Sequence, residues 1–201
     1  MGSSMKKLLF AILFVSSSAA AQPHFYVGGG LLIGNETEWD DTLPGGVLED
    51  GTNKLGYSVV AGIAQPTKSF IDFGVNLLTA LELEYQDYGA VEFTNVNGSG
   101  QSLSVNGYSI FFNSRIKIFE KTNRAYLGFL GGVGFQNAHY ESSLLPDRRV
   151  NESGAVYQLG VAVGTQLSRF DLSFGYRYQY TDFDGIDLSM KGLTTTLLYN
   201  F

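Results

Sequence analysis

The chain has 201 residues, with 13 Lys and Arg against 19 Asp and Glu and a formal net charge of −6. It contains no cysteine, which excludes disulfides and a lipid-modified N-terminal cysteine. The acidic balance argues against nucleic acid as a partner. The 15 Phe, 12 Tyr and 25 Gly favour an all-β protein.

The N-terminus has the order of a secretory signal peptide. The Lys6–Lys7 pair precedes an apolar run at 8–15, and small residues follow as far as Ala21. A membrane-spanning helix would need roughly 20 apolar residues, so this run is too short for one. We therefore predict a signal peptide at 1–21, cleaved after Ala21 or, nearly as well, after Ala20. Its removal leaves a formal charge of −8.

The mature chain, 22–201, alternates apolar and polar residues with the period of a β-strand. In the last ten residues Phe201, Tyr199 and Leu197 share one face. Eight strands are predicted, with the third beginning somewhere in 70–78 and clear from Thr79 onward. The others cover 25–34, 54–64, 105–119, 125–138, 154–167, 170–181 and 192–201.

The predicted connections alternate in length along the chain. Long ones at 35–53, 89–104, 139–153 and 182–189 alternate with much shorter turns near Thr67, Thr122 and Ser168. Outer-membrane barrels are built in this way, with an even number of strands. The predicted fold is therefore all-β: an eight-stranded antiparallel up-and-down transmembrane β-barrel, preceded by a cleavable signal peptide.

The positions of charged residues separate a barrel in lipid from a soluble β-sandwich. In a sandwich the aliphatic face would be the core and the charged face would meet water. That alternative accounts neither for the aromatic residues at strand ends nor for the terminal Phe201. In a barrel the charged face lines a lumen just wide enough for side chains to fill, so a channel is weakly supported. The lumen would then hold three acids and three bases in ion pairs: Glu82, Glu84, Asp171, Arg115, Lys117 and Arg177.

Several segments together resemble the small porin-like, opacity-type outer-membrane β-barrel proteins of Gram-negative bacteria. They are Phe25-Tyr26-Val27-Gly28-Gly29-Gly30, the 81–89 run LELEYQDYG, the 130–134 run LGGVG, Phe174-Gly175-Tyr176-Arg177-Tyr178 and the terminal Phe201. The resemblance implies an OmpA-like barrel, and the 70–78 segment departs from the usual short second turn. It also implies insertion by outer-membrane machinery that reads the last strand, through Phe201, Tyr199 and Leu197. Activity is weakly specified, because the family includes adhesins and structural barrels.

Acidic residues are concentrated in the predicted long loops, where thirteen acids meet only Arg148 and Arg149. The first loop holds Glu36, Glu38, Asp40, Asp41, Glu49 and Asp50 without a base. We therefore expect a non-enzymatic surface barrel whose loops mediate adhesion or stabilise the envelope. The expected partners are outer-membrane lipid, lipopolysaccharide, the insertion machinery and a host or surface ligand, with the barrel as a monomer. A solvated rim without a ligand is the plainer interpretation.

Catalytic and metal sites are weakly supported. Some eight-stranded barrels modify lipid A with His, Ser and an acid, and His139, Glu141 and Ser142 offer these types. However, His139 and Ser142 point to opposite faces if the strand continues through them. The 182–187 segment, DFDGID, suggests calcium, but its spacing is not that of an EF-hand and Asp184-Gly185 is a normal hairpin turn. No cofactor is expected, and a lipid A-modifying enzyme or a narrow channel remains the alternative.

Overall fold

The computed structural model describes residues 23–40, 51–67, 75–94, 102–120, 124–142, 149–183 and 186–201. The predicted signal peptide lies outside them. None of these residues forms a helix long and apolar enough to cross a membrane. The described chain forms nine β-strands: β1 (His24–Asp40), β2 (Gly51–Thr67), β3 (Val75–Asp87), β4 (Val91–Thr94), β5 (Ser102–Glu120), β6 (Ala125–Ser142), β7 (Arg149–Leu167), β8 (Phe170–Phe183) and β9 (Ile186–Asn200).

The strands form one closed antiparallel barrel. Apart from β3 and β4, which do not pair with each other, each strand pairs with its neighbours along the chain, and β1 pairs with both β2 and β9. The short β4 continues β3 after a break, since it pairs with the same two strands, β2 and β5. Nine segments therefore make an eight-stranded barrel, which confirms the predicted fold. We call the end that carries His24 and Phe201 the turn end, and the end that carries Asp40 and Phe183 the loop end.

The pairing is staggered, as closure of a barrel requires. Moving from each residue to its partner on the next strand leads from His24 around the wall to Gly192 of β9. Gly192 is next to Leu193, which pairs with Ile33 of β1. The shift is on the order of ten residues, and it tilts the strands. The pairing of β1 with β9 changes register between Ile33 and Glu36, where Gly34 has a φ of 60°.

The two faces of the wall are opposite in character. Outward side chains are large and apolar, for example Phe25, Leu83 and Phe174, each more than half exposed. Inward side chains are buried and mostly polar, including all six charged residues assigned to the lumen from the sequence. A closed wall with an apolar exterior and a polar interior is what a bilayer requires of a strand-built protein. The barrel is thus constructed to span a membrane.

The strands are longer than predicted, and the connections at the loop end are correspondingly shorter. The 35–53 loop prediction was wrong at both ends, because β1 continues to Asp40 and β2 begins at Gly51. Likewise, β8 reaches Phe183 and β9 begins at Ile186, where 182–189 was expected to be a loop. About 9–11 residues suffice to cross a bilayer. Beyond that length the backbone ladder continues without an apolar pattern in the sequence.

Three other boundaries also move. Val75 opens β3, within the predicted 70–78 window, and 68–74 lies outside the described residues. The 89–104 loop prediction was wrong where β4 pairs with its neighbours. The 139–153 loop prediction was wrong at both ends, because β6 runs to Ser142 and β7 begins at Arg149.

Candidate functional site

The lumen begins near the turn end with a group built around Glu82. The Arg115 Nε lies 2.7 Å from Glu82 Oε1, and the Arg115 Nη2 donates to Oε2 at 3.1 Å. The Tyr26 hydroxyl also donates to Oε1, at 2.7 Å. Because Tyr26 pairs with Gly62 and Gly62 pairs with Glu82, the ring lies over a residue without a side chain and reaches the next strand. One carboxylate is thus held by a guanidinium and a phenol.

A second group of the same kind lies around Asp171. The Lys117 Nζ is 2.5 Å from Asp171 Oδ2, and the Tyr126 hydroxyl donates to Oδ1 at 2.5 Å. The Lys117 ammonium also lies over the Tyr126 ring, 4.9 Å from its centroid. Both ions are buried, so the ring face and the carboxylate replace water around the ammonium.

The middle of the lumen is organised by Glu84. Arg177 Nη1 lies 2.6 Å from Glu84 Oε1, and Asn113 Nδ2 donates to Oε2 at 2.7 Å. Gln158 donates to the Asn113 side-chain oxygen at 2.5 Å and lies 3.4 Å from Glu84 Oε2. These residues come from four strands, β3, β5, β7 and β8, so their contacts join opposite walls of the barrel.

Neutral polar side chains continue the network toward the loop end. Gln179 donates to Gln86 at 2.5 Å and to Gln158 at 3.1 Å. Thr181 donates to Gln136, and the Tyr88 hydroxyl donates to Ser109. We call the inward side chains of these groups the lumen network: Tyr26, Glu82, Glu84, Gln86, Asn113, Arg115, Lys117, Tyr126, Gln136, Gln158, Asp171, Arg177, Gln179 and Thr181.

The lumen network leaves very little space. A cavity of about 20 Å³ lies beside Arg115 and Arg177 and is also lined by Ser173, Thr194 and Thr196. This is room for about one water molecule. The structure therefore brings the six inward charges together as three ion pairs and fills the space around them.

Apolar side chains lie beside the lumen network at both ends. At the turn end, Tyr26 packs with Val60, Ala64, Ala80 and Leu198. At the loop end, Leu188 and Met190 are buried beside a cavity of about 10 Å³ that Thr37 also lines.

The acids assigned to the first loop are distributed differently from the sequence interpretation. Glu36 and Glu38 lie on β1 beyond its outward apolar residues Leu31 and Ile33, and both pair with Lys191 of β9. These hydrogen bonds, that to Glu38 first, raise the pKa of Lys191 to about 12 and lower that of Glu38. The first loop itself contains no base, but closure of the barrel brings Lys191 of the last strand beside it. Asp40 ends β1, whereas Asp41, Glu49 and Asp50 lie outside the described residues.

The residues assigned to assembly are placed on the turn-end edge of the wall. Leu197 and Phe201 face outward and are half or more exposed. The Phe201 N–H donates to the Phe25 carbonyl at 2.9 Å, so the terminal residue still belongs to the seam between β1 and the end of the chain. Tyr199 packs edge-on against Phe201 and Phe170, with ring centroids 5.3 and 5.4 Å apart.

The weaker catalytic and metal candidates can also be located. Because β6 continues through His139 to Ser142, these two residues belong to opposite faces of one strand. Asp182 pairs with Asp187 across the β8–β9 ladder, and Asp184 is outside the described residues. In the part of the chain that the structure describes, no three His, Asp or Glu side chains are grouped to hold a metal ion.

No protein-family model and no curated protein match this chain. Among solved structures it is similar to Neisserial surface protein A, with 12% identity over 88% of this chain and 97% of that one and a TM-score of 0.46. It is similar to Ail, the attachment invasion locus protein of Yersinia pestis (12%, 90% and 100%, 0.45). It is also similar to the outer membrane protease OmpT of Escherichia coli (8%, 92% and 100%, 0.47). At this distance the likeness transfers no activity.

Proposed function

We propose that the protein is a non-enzymatic surface barrel of the bacterial outer membrane whose loop end mediates adhesion or another surface interaction, or stabilises the envelope. The observation that carries this proposal is the lumen network, whose buried side chains fill the described part of the interior beside a cavity of about 20 Å³. A barrel filled in this way offers solutes no path along its axis. Its exposed loop end is then the part available to act on the surroundings.

The proposal has consequences for processing and partners. Residues 1–21 would direct export and be removed, and 22–201 would form the barrel. The insertion machinery would read Phe201, Tyr199 and Leu197 in the last strand. The apolar exterior would contact outer-membrane lipid, and the loop end would lie beside lipopolysaccharide, with the protein as a monomer.

In this proposal the acids assigned to the first loop form two sets. Lys191 already engages Glu36 and Glu38, so their charge is partly compensated. The second set, Asp40, Asp41, Glu49 and Asp50, follows them in the chain. If this set attracts a basic ligand, or a divalent cation beside lipopolysaccharide phosphates, salt should weaken the interaction because screening acts over about 8 Å at physiological ionic strength.

Whole-cell adhesion with two matched variants tests this division. In one variant Asp40, Asp41, Glu49 and Asp50 become Asn or Gln; in the other, Glu36 and Glu38 become Gln. We expect the first variant to lose adhesion to extracellular-matrix and epithelial surfaces, and the parent to lose it at raised salt. The second variant should keep most of it. Equal adhesion of the parent, both variants and a strain without the protein would leave only the structural role.

The non-enzymatic part is tested separately. Lipid mass spectra of membranes with and without the protein should show the same acyl chains and headgroups. A lipid A species that appears only when the protein is present would overturn this part of the proposal.

A further inference from the structure

The strand β7 has an open edge at the loop end. From Leu167 back to Ala155, β7 pairs with β8, and the last of these pairs joins Ala155 to Asp182. Within the described residues, 149–154 continue beyond that point and pair only with β6. The strand β8 is lower on this side because it ends one residue after Asp182. We call residues 149–154 the β7 edge.

The ladder with β6 determines which way the backbone groups of the β7 edge point. The Gln166 N–H donates to the Arg124 carbonyl at 3.0 Å, so the backbone groups of Gln166 face β6. Successive residues of a strand alternate in this respect, and the β6–β7 register has no shift. Arg149, Asn151 and Ser153 therefore direct both their N–H and their C=O away from β6, to the open side.

An open edge of this kind is a template for another strand. The unpaired backbone groups of an edge can bond an extended peptide, and proteins block unwanted additions with proline, lysine or a bulge. The β7 edge, RVNESG, contains neither proline nor lysine, and its pairing with β6 is regular. It therefore lacks these three means of blocking an added strand.

The segments of the chain outside the described residues are too short to supply a complete strand here. To reach the β8 side of β7, residues 41–50 would have to cross two strand spacings and return over three, roughly 24 Å. Ten extended residues span about 35 Å, so at most about three of them could lie along the edge. Their centre, Pro44-Gly45-Gly46, is a turn sequence. The other loop-end segments, 95–101, 143–148 and 184–185, are shorter.

The charges around the β7 edge specify the chemistry of a partner strand. Asp182, Asp187 and Asp40 are paired in one row across β8, β9 and β1, at the foot of the open side. Asp182 is exposed, and Lys191 of β9 is already engaged by two glutamates. A base at the lower end of an added strand is therefore favourable, and Arg149 at the upper end of the edge favours an acid there.

We propose that the β7 edge binds an extended segment of a partner protein, which adds as a strand antiparallel to β7 with a basic residue beside Asp182. The N–H and C=O groups of Arg149, Asn151 and Ser153 form the hydrogen bonds, and the added strand continues the line of β8. This inference rests on the proposed surface role and specifies how a protein partner attaches. Because the backbone of β7 carries the binding, and not the acids at 41–50, the two proposals can fail separately.

Binding of a labelled peptide to the folded, detergent-purified barrel tests the edge. The probe alternates threonine and valine between an N-terminal lysine and a C-terminal glutamate, and fluorescence polarisation measures its Kd. Ser153→Pro removes an N–H from the open side but none from the ladder with β6, and should weaken binding about tenfold. Ser153→Ala keeps this N–H, loses the same side-chain contact with Asn137 and should bind within about twofold of the parent.

The charge at the foot of the edge is tested with the same peptide. Asp182→Asn should weaken binding about twofold to fivefold at low salt and leave it unchanged at high salt, because an exposed ion pair is weak and screened. A peptide with glutamate in place of its lysine should bind more weakly to the parent and gain from Asp182→Asn.

Amide hydrogen exchange shows where the peptide lies. The N–H groups of Asn151 and Ser153 should exchange freely in the parent alone and slowly with the peptide bound. Glu152 is the internal control, because its N–H faces β6 and should exchange slowly in both states. Heat-modifiable gel migration verifies that each variant is folded, and exchange in the parent decides the question if Ser153→Pro does not fold.

Several results would overturn the proposal. They are absence of peptide binding, equal binding by Ser153→Pro and Ser153→Ala, or no effect of Asp182→Asn at low salt. Protection of the Asn151 and Ser153 amides without peptide would mean that the chain itself covers the edge. A concentration-dependent dimer that Ser153→Pro abolishes would assign the edge to a second copy. Peptide binding without adhesion of cells would remove the surface role alone, and adhesion that depends on the first-loop acids without peptide binding would remove the edge alone.

Discussion

Arg177 and Glu84 illustrate that a charged residue in the interior needs a partner of opposite charge. Their side chains meet at 2.6 Å, and both are almost fully buried. Neither would be tolerated there alone, since an unpaired buried ion costs several kcal/mol. Asn113 donates a hydrogen bond to the second carboxylate oxygen of Glu84. Arg177 therefore compensates the charge of this carboxylate, and Asn113 helps to fix its orientation.

We expect Arg177→Ala to lower the free energy of unfolding by about 3–5 kcal/mol, because it leaves the Glu84 carboxylate buried without a counter-ion. The control is Arg124→Ala, at an exposed position of the turn end, which should change stability by at most about 0.5 kcal/mol. Urea titrations of the barrel folded in lipid vesicles measure both. Similar midpoints for the two variants would contradict a closed ionic interior.

At the scale of the strand, the C-terminal residue contributes little contact energy. Phe201 adds one backbone hydrogen bond to Phe25 and one edge-on contact with Tyr199. Each is worth on the order of 1 kcal/mol. A large effect of Phe201 on assembly in cells would therefore have to come from recognition of the last strand rather than from stability.

Deletion of Phe201 separates these two causes. In lipid vesicles we expect the deletion variant to fold with a loss of about 1–2 kcal/mol. In cells we expect unfolded, protease-sensitive protein in the periplasm, because the deletion removes the residue that we propose the insertion machinery reads. Normal yield of the variant in the outer membrane would refute the assembly role, whatever the result in vesicles.

On the outward face of β8, the cost of an arginine substitution should depend on the depth of the residue in the bilayer. Phe170 and Phe174 are similarly exposed, but Phe170 begins the strand at the turn end and Phe174 lies about one-third of the way along it. Phe174→Arg should cost about 2–4 kcal/mol, and Phe170→Arg about 0–1 kcal/mol. Ser173→Arg enters the filled lumen instead, so its cost should not change with bilayer thickness. Folding titrations in vesicles of two acyl-chain lengths check this, and equal costs at 170 and 174 would contradict it.

The sequence predicts the existence of the strands better than their lengths, and physical reasons explain the difference. Where a strand crosses lipid, one face must be apolar, so residues such as Leu172 and Phe174 reveal it by alternation. Beyond the lipid the ladder of β1 continues through Glu36 and Glu38 without an apolar face. Which inward charges meet depends on the stagger of the whole wall, so the sequence could assign Lys117 to the lumen but not to Asp171.

Considered as a whole, the barrel has two halves with related interiors. In each half a tyrosine lies over a glycine of the next strand and donates to a carboxylate: Tyr26, Gly62 and Glu82 in one, and Tyr126, Gly164 and Asp171 in the other. Two ion pairs nevertheless cross between the halves, Lys117–Asp171 and Arg177–Glu84. The lumen network can thus be completed only when the two halves of the wall have come together.

The same closed interior predicts the electrical behaviour of the protein. Its internal cavity beside Arg115 and Arg177, about 20 Å³, is too small for a continuous file of water, so the parent should show no conductance steps in a planar bilayer. Joint replacement of Glu84 and Arg177 by Ser removes the central pair without leaving an unpaired charge. It should therefore open small, irregular conductances if the pair is the narrowest barrier. If the parent itself gave steady steps, the lumen network could not be closed in a membrane. If both proteins were silent, the remaining side chains of the lumen would be sufficient to exclude ions.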